Sequence, residues 1–417
     1  MPPPLNLEEE LKKNEKKMKK RIFIAIQYLE IGGAERSLIG LLNAMDYTRY
    51  DVDLFVYQHT GEFMSLIPKE VNLLPEIKEY AAINRPIKDI VREGRFGIAA
   101  ARILSKLQYA IYSKINKPKE HSGLFQYVAD CVTPLLPSLE KFGTYDAAIS
   151  FLTPHNIVRE KVAAKKKFAW IHTDYSTISV NARKEISVWG AYDKIFAVSQ
   201  GVKENFAKVF PTLNEKIEVM ENILSPTAIR EQAATEDVST EMPHIDGEIR
   251  FCSVGRFTGA KNFDNVPFMC KHLVEKGLQF KWYIIGYGGD ERLIKENIRK
   301  AGMEQVCVLL GKKNNPYPYI KACDIYIQPS RFEGKAVTVR EAQILQKPVV
   351  ITHFATSHAQ LTDGVDGIIV PLNNEEAADG IFTFAKNKAI QEKFAKYMST
   401  HDYGNEKELQ TLHDEID

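Results

Sequence analysis

Residues 21–57 read RIFIAIQYLEIGGAERSLIGLLNAMDYTRYDVDLFVY, and this stretch determines the fold class. The continuous apolar run at 21–26 is typical of a short buried strand. Gly32 and Gly33 interrupt the pattern, a helical segment follows, and a second predicted strand occupies 51–57. Strand, glycine loop, helix and strand in this order predict a βαβ unit of a parallel sheet.

The same alternation continues along the chain and restarts after a polar stretch at 225–248. We predict further strands at 147–151, 168–171, 194–198, 249–254, 280–285, 306–310, 325–327 and 349–351. The expected fold is therefore α/β, with two Rossmann-like domains facing each other across a cleft. The predicted order is a charged extension at 1–20, a first domain at 21–225, a linker at 226–248, a second domain at 249–395, and a C-terminal helix at 396–417 that packs back on the first domain.

Composition limits the classes of function. The chain has 417 residues, with 55 Lys and Arg against 54 Asp and Glu, so its net charge of +1 gives no general reason to expect a nucleic-acid partner. Its five cysteines form no CxxC pair, which excludes a disulfide scaffold and a cysteine zinc module. Because the start is polar and the apolar runs are short, we expect a cytoplasmic protein without a membrane span.

Two regions are locally basic. Residues 1–21 hold seven Lys and Arg against four Glu, and residues 84–120 hold nine against three acids, interleaved with apolar side chains. The second region predicts a basic amphipathic helix. Packing on its own domain and contact with the inner membrane surface both fit this pattern, whereas nucleic-acid binding lacks a supporting motif.

Candidate ligand-binding residues cluster in the second half. Glu333 and Gly334 follow a predicted strand, and Glu341 lies in the helix that begins near residue 336, whose free amides suit an anion. Gly255, at the end of another strand, precedes two cations, Arg256 and Lys261, which suit a diphosphate.

The first half offers His172 at a strand end, as a catalytic or orienting group, and Gly33, where a ligand can approach the backbone. A turn at Gly286 is expected to line the donor pocket. The GxGxxG motif of a dinucleotide site is missing, so we set a dehydrogenase aside.

Several motifs together resemble the retaining glycosyltransferases of family four, also called glycosyl transferases group 1, which have the two-domain GT-B fold. They are GGAER (32–36), GRFxxxKN (255–262), PSxxEGxxxxxxEA (329–342), KPVV (347–350) and DGVDGIIVP (363–371). The resemblance runs from about residue 21 to the end of the sequence. It implies an acceptor-binding first domain and a second domain that binds a nucleotide-sugar donor.

The resemblance also implies roles for single residues. Arg256 and Lys261 would hold the donor diphosphate, and Glu341 would bind the nucleotide ribose. Glu333 would contact the transferred sugar, and His172 would lie near the reacting carbon. The remaining implied donor-binding positions are Gly33, Gly255, Gly286, Gly311, Lys312, Gly334, Lys335, Val337 and Thr338. Lys335 departs from the family, which often has an apolar residue there.

The implied reaction transfers a hexose-type sugar from a nucleotide diphosphate, commonly UDP in this family, to a lipid-linked or polysaccharide acceptor, with retained configuration and without a metal or other cofactor. Cations and helix amides would stabilise the leaving diphosphate in place of a divalent ion. Asp51 and Asp53 form a DxD pattern, but they begin a predicted buried strand, so we interpret them as structural. Two alternatives stay open, namely a nucleotide-sugar epimerase and an inactive scaffold of the same fold.

Overall fold

The computed structural model describes residues 19–333 and 336–417. The described chain forms two compact units. Unit 1 runs from the start of the described chain to Ile223 and also includes Glu406–Asp417, and unit 2 is Leu224–Asn405. Most of the predicted extension at 1–20 lies outside the described residues.

Within the described residues, unit 1 is built on a seven-stranded sheet in the order β3-β2-β1-β4-β5-β6-β7, with every pair parallel. The strands are β1 (Lys20–Ile26), β2 (Tyr50–Val56), β3 (Asn72–Leu73), β4 (Tyr145–Ser150), β5 (Ala164–Ile171), β6 (Lys194–Ala197) and β7 (Ile217–Val219). The helices between them are α1 (Gly33–Ala44), α2 (Lys78–Ala81), α3 (Ile87–Arg92), α4 (Phe96–Asn116), α5 (Leu124–Val132), α6 (Asn156–Lys161), α7 (Ala182–Trp189) and α8 (Gln200–Val209).

The sheet of unit 1 is buried on both faces. Phe23 of β1 points into one hydrophobic cluster, while its neighbours Ile22 and Ile24 point into the other. Successive side chains of a strand alternate between the two faces, so a strand covered on both sides must be apolar at every position. This is why residues 22–26 of β1 form a continuous apolar run.

Unit 2 holds, in its described part, a six-stranded parallel sheet in the order β10-β9-β8-β11-β12-β13. Its strands are β8 (Ile249–Val254), β9 (Phe280–Ile285), β10 (Cys307–Gly311), β11 (Ile325–Gln328), β12 (Val349–Thr352) and β13 (Ile368–Val370). Its helices are α9 (Pro226–Gln232), α10 (Val266–Glu275), α11 (Glu291–Ala301), α12 (Tyr317–Ala322), α13 (Val337–Ile344), α14 (Asn374–Lys386) and α15 (Lys388–Ser399). Two parallel-sheet, Rossmann-like units confirm the predicted α/β class.

The segment 226–248, predicted as a linker, is instead part of unit 2. It begins with helix α9, which Ser225 caps by accepting a hydrogen bond from the Ala228 amide. Val238 and Met242 are buried in the core of the unit. The polar composition of the segment hides these anchoring apolar side chains, which hold it against the core.

The region 84–120 contains α3 and the long helix α4. Helix α4 packs on α5 of its own unit and ends at Lys117, whose φ of 44° is left-handed. The amide of Lys117 still donates to the Ser113 carbonyl. The predicted amphipathic helix thus has one face against its own unit.

The predicted C-terminal helix at 396–417 divides into two parts. Residues up to Asn405, including the end of α15, belong to unit 2, whereas helix α16 (Leu409–Ile416) belongs to unit 1. Leu409, Leu412 and Ile416 are buried in one of the hydrophobic clusters of unit 1. Polar contacts add to this packing, since Glu408 accepts a hydrogen bond of 2.8 Å from the Glu221 amide.

Three further expectations concern the cysteines, the DxD pattern and membrane spans. The five cysteines, all in the described part of the chain, are free thiols. Asp53 of the DxD pattern is buried and accepts hydrogen bonds from Tyr145 (2.6 Å), Asn72 (2.7 Å) and Arg21 (2.9 Å), which is a structural role. Over the described ranges, every helix is too short or too polar to cross a membrane.

Candidate functional site

The carboxyl ends of β8 and β11, adjacent in the sheet of unit 2, bring Lys261 and Glu333 together. Lys261 ends a short 3₁₀ turn, and its Nζ lies 2.5 Å from Oε1 of Glu333. Two further donors reach the same carboxylate oxygen, the Ser330 hydroxyl at 2.6 Å and the Gln328 amide at 3.1 Å. Three converging donors fix the position of the Glu333 side chain.

Gln328 connects this carboxylate to the rest of the sheet. Its side chain is fully buried and accepts hydrogen bonds from the hydroxyls of Tyr326 (2.8 Å) and Thr338 (3.2 Å). Its amide nitrogen also donates to Ser330 at 2.8 Å. A buried polar side chain with partners at both ends is held rigidly. Gln328 therefore helps to fix the positions of Ser330 and Glu333, to which it donates hydrogen bonds.

An ion pair that the sequence analysis did not identify joins the two loops of this site. Arg331 donates to both carboxylate oxygens of Asp264 at 2.8 Å, and its Nη1 also donates to the Gly259 carbonyl at 2.7 Å. The paired, planar geometry fixes orientation as well as distance. The loop after β11 is thereby tied to the turn that carries Lys261. A pattern search over single motifs cannot detect this pair, because its two residues belong to different motifs.

Helix α13 begins beside the same network. Val337 and Thr338 are its first two residues, so their amides have no partner within the helix. Thr338 also contacts Gln328 through its hydroxyl, which brings the helix start close to the Glu333 site. The adjoining candidates Gly334 and Lys335 lie outside the described residues.

Glu341, in the middle of α13, lies in a different environment from Glu333. Its side chain is fully buried and accepts a hydrogen bond of 2.8 Å from the Tyr317 hydroxyl. In this conformation the carboxylate is enclosed by protein. The role implied for Glu341, contact with a ribose, therefore stays a prediction.

Three glycines close the loops at the other side of β8. The Gly255 amide donates to the Ile285 carbonyl, and the Gly286 amide donates to the Gly311 carbonyl at 2.9 Å. A Cβ atom on Gly286 would lie 1.9 Å from the Gly255 carbonyl oxygen, so a larger residue cannot occupy this position without moving the backbone. Gly311 has a left-handed φ of 72°. Gly255, Gly286 and Gly311, all predicted donor-binding positions, thus lie on neighbouring loops that backbone hydrogen bonds join.

The other two candidate cations of unit 2, Arg256 and Lys312, are both exposed. Arg256 is exposed beside Gly255, where it can meet a ligand. Lys312 lies 5.1 Å from the ring centre of Tyr287, a cation–π contact at the end of β9. Both lie on loops that follow the carboxyl ends of strands, as predicted.

His172 lies in unit 1, just beyond β5, and lines a cavity of about 300 Å³. The walls include Trp170, Trp189, His155 and Glu185. The Nε2 atom of His172 is buried and has no hydrogen-bond partner among the described residues. Its ring packs 4.7 Å from that of Phe151. A polar atom held in this way is available to a ligand that enters the cavity.

The cavity shifts the proton equilibria of its walls. Burial lowers the pKa of His172 to about 4, and burial followed by the neighbouring His172 lowers the pKa of His155 to about 3. Both rings are therefore neutral at pH 7. Burial raises the pKa of Glu185 to about 7, although the hydroxyl of Tyr175 (2.9 Å) donates to its carboxylate. Desolvation, which disfavours charge, dominates at all three positions.

The glycine pair of the first loop has one tightly packed member. Gly32 caps α1, and a Cβ atom there would lie 2.1 Å from a carboxylate oxygen of the buried Glu35. Gly33, the residue predicted to bind a ligand, is exposed and has open space at that point. A larger residue at position 32 would therefore require Glu35 to move, whereas a ligand can reach Gly33.

The described part of the chain contains no group of three or more His, Cys, Asp or Glu side chains placed to hold a metal ion. The expectation of metal-independent chemistry stays a prediction.

Comparison with known proteins identifies the fold and matches part of the chain to a family model. The family model "Glycosyl transferases group 1" matches residues 236–401. An N-acetylgalactosamine-N,N'-diacetylbacillosaminyl-diphospho-undecaprenol 4-alpha-N-acetylgalactosaminyltransferase of Campylobacter jejuni is 25% identical over 210 residues, which are 50% of this chain and 55% of that protein. The chain spans about half the length of the first curated relatives that it matches.

Two similarities extend over the whole chain. An uncharacterized glycosyltransferase of Haemophilus influenzae is 22% identical over 400 residues, covering 94% of this chain and 98% of that protein. The structure of an S. aureus TarM variant in complex with fondaparinux, alpha-GlcNAc-glycerol and UDP superposes with a TM-score of 0.64 at 14% identity, covering 95% of this chain and 100% of that one. The chain thus has the GT-B glycosyltransferase fold, and its residues 236–401 match glycosyl transferases group 1.

Proposed function

We propose that this protein is a retaining, metal-independent glycosyltransferase. It transfers a hexose-type sugar from a nucleotide-diphosphate donor to a hydroxyl of a lipid-linked or polysaccharide acceptor. The proposed donor is a UDP-sugar. The contact between Lys261 and Glu333 carries this proposal, because it places a cation and a carboxylate side by side at the carboxyl ends of two adjacent strands. Ligands of open α/β sheets bind at such strand ends.

The charges around Glu333 suit the two parts of a nucleotide sugar. Lys261 and the exposed Arg256 supply positive charge for a diphosphate, and the first amides of α13 add backbone donors. The Glu333 carboxylate, held by Ser330 and Gln328, accepts hydrogen bonds from sugar hydroxyls. As the bond to the sugar breaks, negative charge grows on the diphosphate, and these donors stabilise it without reorganising.

His172 is proposed to assist from the acceptor side. Because burial lowers its pKa to about 4, the ring is neutral at pH 7, and its Nε2 has no hydrogen-bond partner among the described residues. A neutral imidazole can exchange a hydrogen bond with a hydroxyl without bringing a charge into the cavity. The residues that the structure describes offer no evident nucleophile for a covalent intermediate, and we favour attack by the acceptor hydroxyl on the same face that the diphosphate leaves.

The relatives support the choice of acceptor. The Campylobacter jejuni protein is named for transfer of a sugar to a diphospho-undecaprenol-linked glycan, and the TarM variant was crystallised with UDP. The first name gives a lipid-linked glycan as the acceptor, and the second gives UDP together with a glycerol-linked sugar. This protein is proposed to act in the synthesis of a lipid-linked glycan or polysaccharide.

Thermal shifts with UDP, GDP, ADP and CDP, with and without EDTA, test the donor site. A nucleotide at 100 times its dissociation constant stabilises the protein by about 2.7 kcal/mol, or a few degrees. We expect one nucleotide to do so regardless of EDTA. If all four leave the melting temperature unchanged at millimolar concentration, the donor site is refuted, and a shift that EDTA abolishes refutes metal independence.

Matched variants then test the chemistry. Lys261→Ala and Glu333→Gln should each reduce release of the nucleotide in the presence of acceptor by at least about a hundredfold. The control is the exposed ion pair of Lys295 and Glu291 in the same unit, at 2.6 Å. Lys295→Ala and Glu291→Gln should retain full activity. Equal activity in both pairs of variants would exclude Lys261 and Glu333 from the reaction, and conversion of the nucleotide sugar without acceptor would indicate an epimerase.

A further inference from the structure

Helix α4 of unit 1 exposes a row of large apolar side chains, which we call the α4 ridge. Its members are Phe96, Ile103, Leu104, Leu107, Ile111 and Ile115, and each is between 50% and 74% exposed. At 100° per residue, all six lie within about 120° of the helix circumference. Single exposed apolar residues are ordinary on a protein surface, but a contiguous row of six marks an interaction surface.

The ridge is not needed for the folding of unit 1. The opposite side of α4 carries Ile98, Ala101, Ser105 and Tyr109, all of which are buried. Tyr109 lies edge-on to Tyr127 of α5 at 5.5 Å between ring centres. The helix therefore has two apolar faces, of which one packs on its own unit and the other is exposed to solvent.

The charge of the helix restricts what can cover the ridge. The 21 residues of α4 include Arg102, Lys106 and Lys114 but no Asp or Glu. Lys106 and Lys114 are exposed, and Lys117 and Lys119 follow directly after the helix, also exposed. A second copy of this chain, pairing ridge to ridge, would bring these cations against each other, whereas a surface of phosphate groups would neutralise them.

A groove runs along the flank of the ridge. It has a volume of about 610 Å³ and is lined by Lys106, Ser113, Lys114 and His121, among others. Two ammonium groups and a hydroxyl beside an apolar row match the two parts of a phospholipid, a charged headgroup and acyl chains.

We propose that the α4 ridge lies on the surface of an anionic phospholipid bilayer, with headgroup phosphates in the groove between Lys106 and Lys114. The helix lies in the plane of the interface and does not span the bilayer, because its apolar residues occupy only one exposed side. This surface belongs to unit 1 alone and needs no donor site, so it stands or falls independently of the proposed reaction.

The test is flotation of the full-length protein with lipid vesicles. We expect binding to phosphatidylcholine vesicles that contain roughly one third phosphatidylglycerol, and little binding to pure phosphatidylcholine. Leu107→Glu/Ile111→Glu should weaken the binding at least about tenfold, since it removes apolar contact and adds negative charge. Lys106→Glu/Lys114→Glu should weaken it by a similar factor, and high salt should reduce the binding of the unmodified protein.

Matched controls use exposed residues of unit 2. Val274 and Leu293 are 40% and 42% exposed, so Val274→Glu/Leu293→Glu adds the same charge away from the ridge. This variant should bind vesicles like the unmodified protein, and all variants should keep its circular dichroism and melting temperature.

Three results would overturn the proposal. The first is an unmodified protein that does not float with anionic vesicles, and the second is a ridge variant that floats as well as the control variant. The third is a dimer in analytical ultracentrifugation that Leu107→Glu/Ile111→Glu dissociates, without any vesicle binding. That outcome would assign the ridge to contact between copies.

Discussion

Replacement of Glu185 by Gln should stabilise unit 1 above neutral pH and leave its stability nearly unchanged at low pH. Glu185 lies on α7 in the wall of the unit 1 cavity, where burial raises its pKa from 4.5 to about 7. The Tyr175 hydroxyl donates to its carboxylate at 2.9 Å, and a Gln side chain can accept the same hydrogen bond. The substitution therefore removes the titration with little change in packing.

The magnitude follows from the difference between the two pKa values. Below the unfolded value of 4.5, both states hold the proton and the carboxyl has no effect on the pH dependence. Between 4.5 and about 7, the unfolded chain releases the proton while the folded protein retains it, so stability falls as pH rises. The difference of 2.5 units, at 1.36 kcal/mol per unit, amounts to about 3 kcal/mol, which is fully present above pH 7.

The assay is urea unfolding at pH 5 and pH 8, followed by hydrogen exchange of peptides from unit 1 so that unit 2 does not contribute to the signal. Comparing Glu185→Gln with the unmodified protein cancels the titration of all other groups, including His155 and His172. Because part of the effect is already present at pH 5, the advantage of the variant should grow by about 2.5 kcal/mol between the two pH values. Glu215→Gln, at an exposed position, is the control and should show no such growth.

A constant difference between the unmodified protein and Glu185→Gln at pH 5 and pH 8 would refute the reasoning. It would mean that water or a nearby charge solvates the carboxylate as well as bulk solvent does. The cavity of about 300 Å³ would then be wet and polar at this wall, and not a site of desolvation.

Three further predictions concern other parts of the chain. Burial lowers the pKa of His155 from 6.5 to about 3, so its titration should decrease the free energy of unfolding by about 2 kcal/mol as pH falls from 6.5 to 5. His155→Gln should remove that decrease, as measured by urea unfolding at the two pH values. Arg331→Ala should destabilise unit 2 by about 2 kcal/mol and weaken nucleotide binding in calorimetry, because it breaks the paired bonds to Asp264; unchanged binding would show that the link does not shape the site. Gly286→Ala should cost about 2 kcal/mol or more by overpacking against a backbone carbonyl, whereas Gly289→Ala, with open space at its Cβ, should be nearly neutral in the same unfolding assay.

Ten of the thirteen described strands, and their parallel arrangement, could be predicted because the signal for a doubly covered sheet is local, whereas β3, β7 and β13 have only two or three residues and were missed. A run such as 22–26 has no polar position, and only burial on both faces explains this. The segment 226–248 could not be assigned in the same way. Its anchors Val238 and Met242 are isolated among polar residues, and their burial depends on the core that unit 2 supplies.

The same contrast between local signals and contacts that depend on the folded structure applies to the candidate site. Sequence analysis could place Lys261 and Glu333 at the same edge of a sheet, because each follows a strand end and parallel strands end together. It could not predict that they touch, since that contact depends on the loop geometry fixed by Arg331 and Asp264. The pKa shift of Glu185 was also beyond prediction, because desolvation depends on side chains from several elements around one cavity.

The place of α16 has a consequence for biosynthesis. The helix completes a hydrophobic cluster of unit 1 with Leu409, Leu412 and Ile416, yet all of Leu224–Asn405 is translated between the main part of unit 1 and this helix. At about 5–20 residues per second, that interval lasts on the order of ten seconds or more. Throughout this interval unit 1 exposes the apolar surface that α16 covers in the folded unit. Nascent unit 1 is thus a substrate for chaperones during this interval.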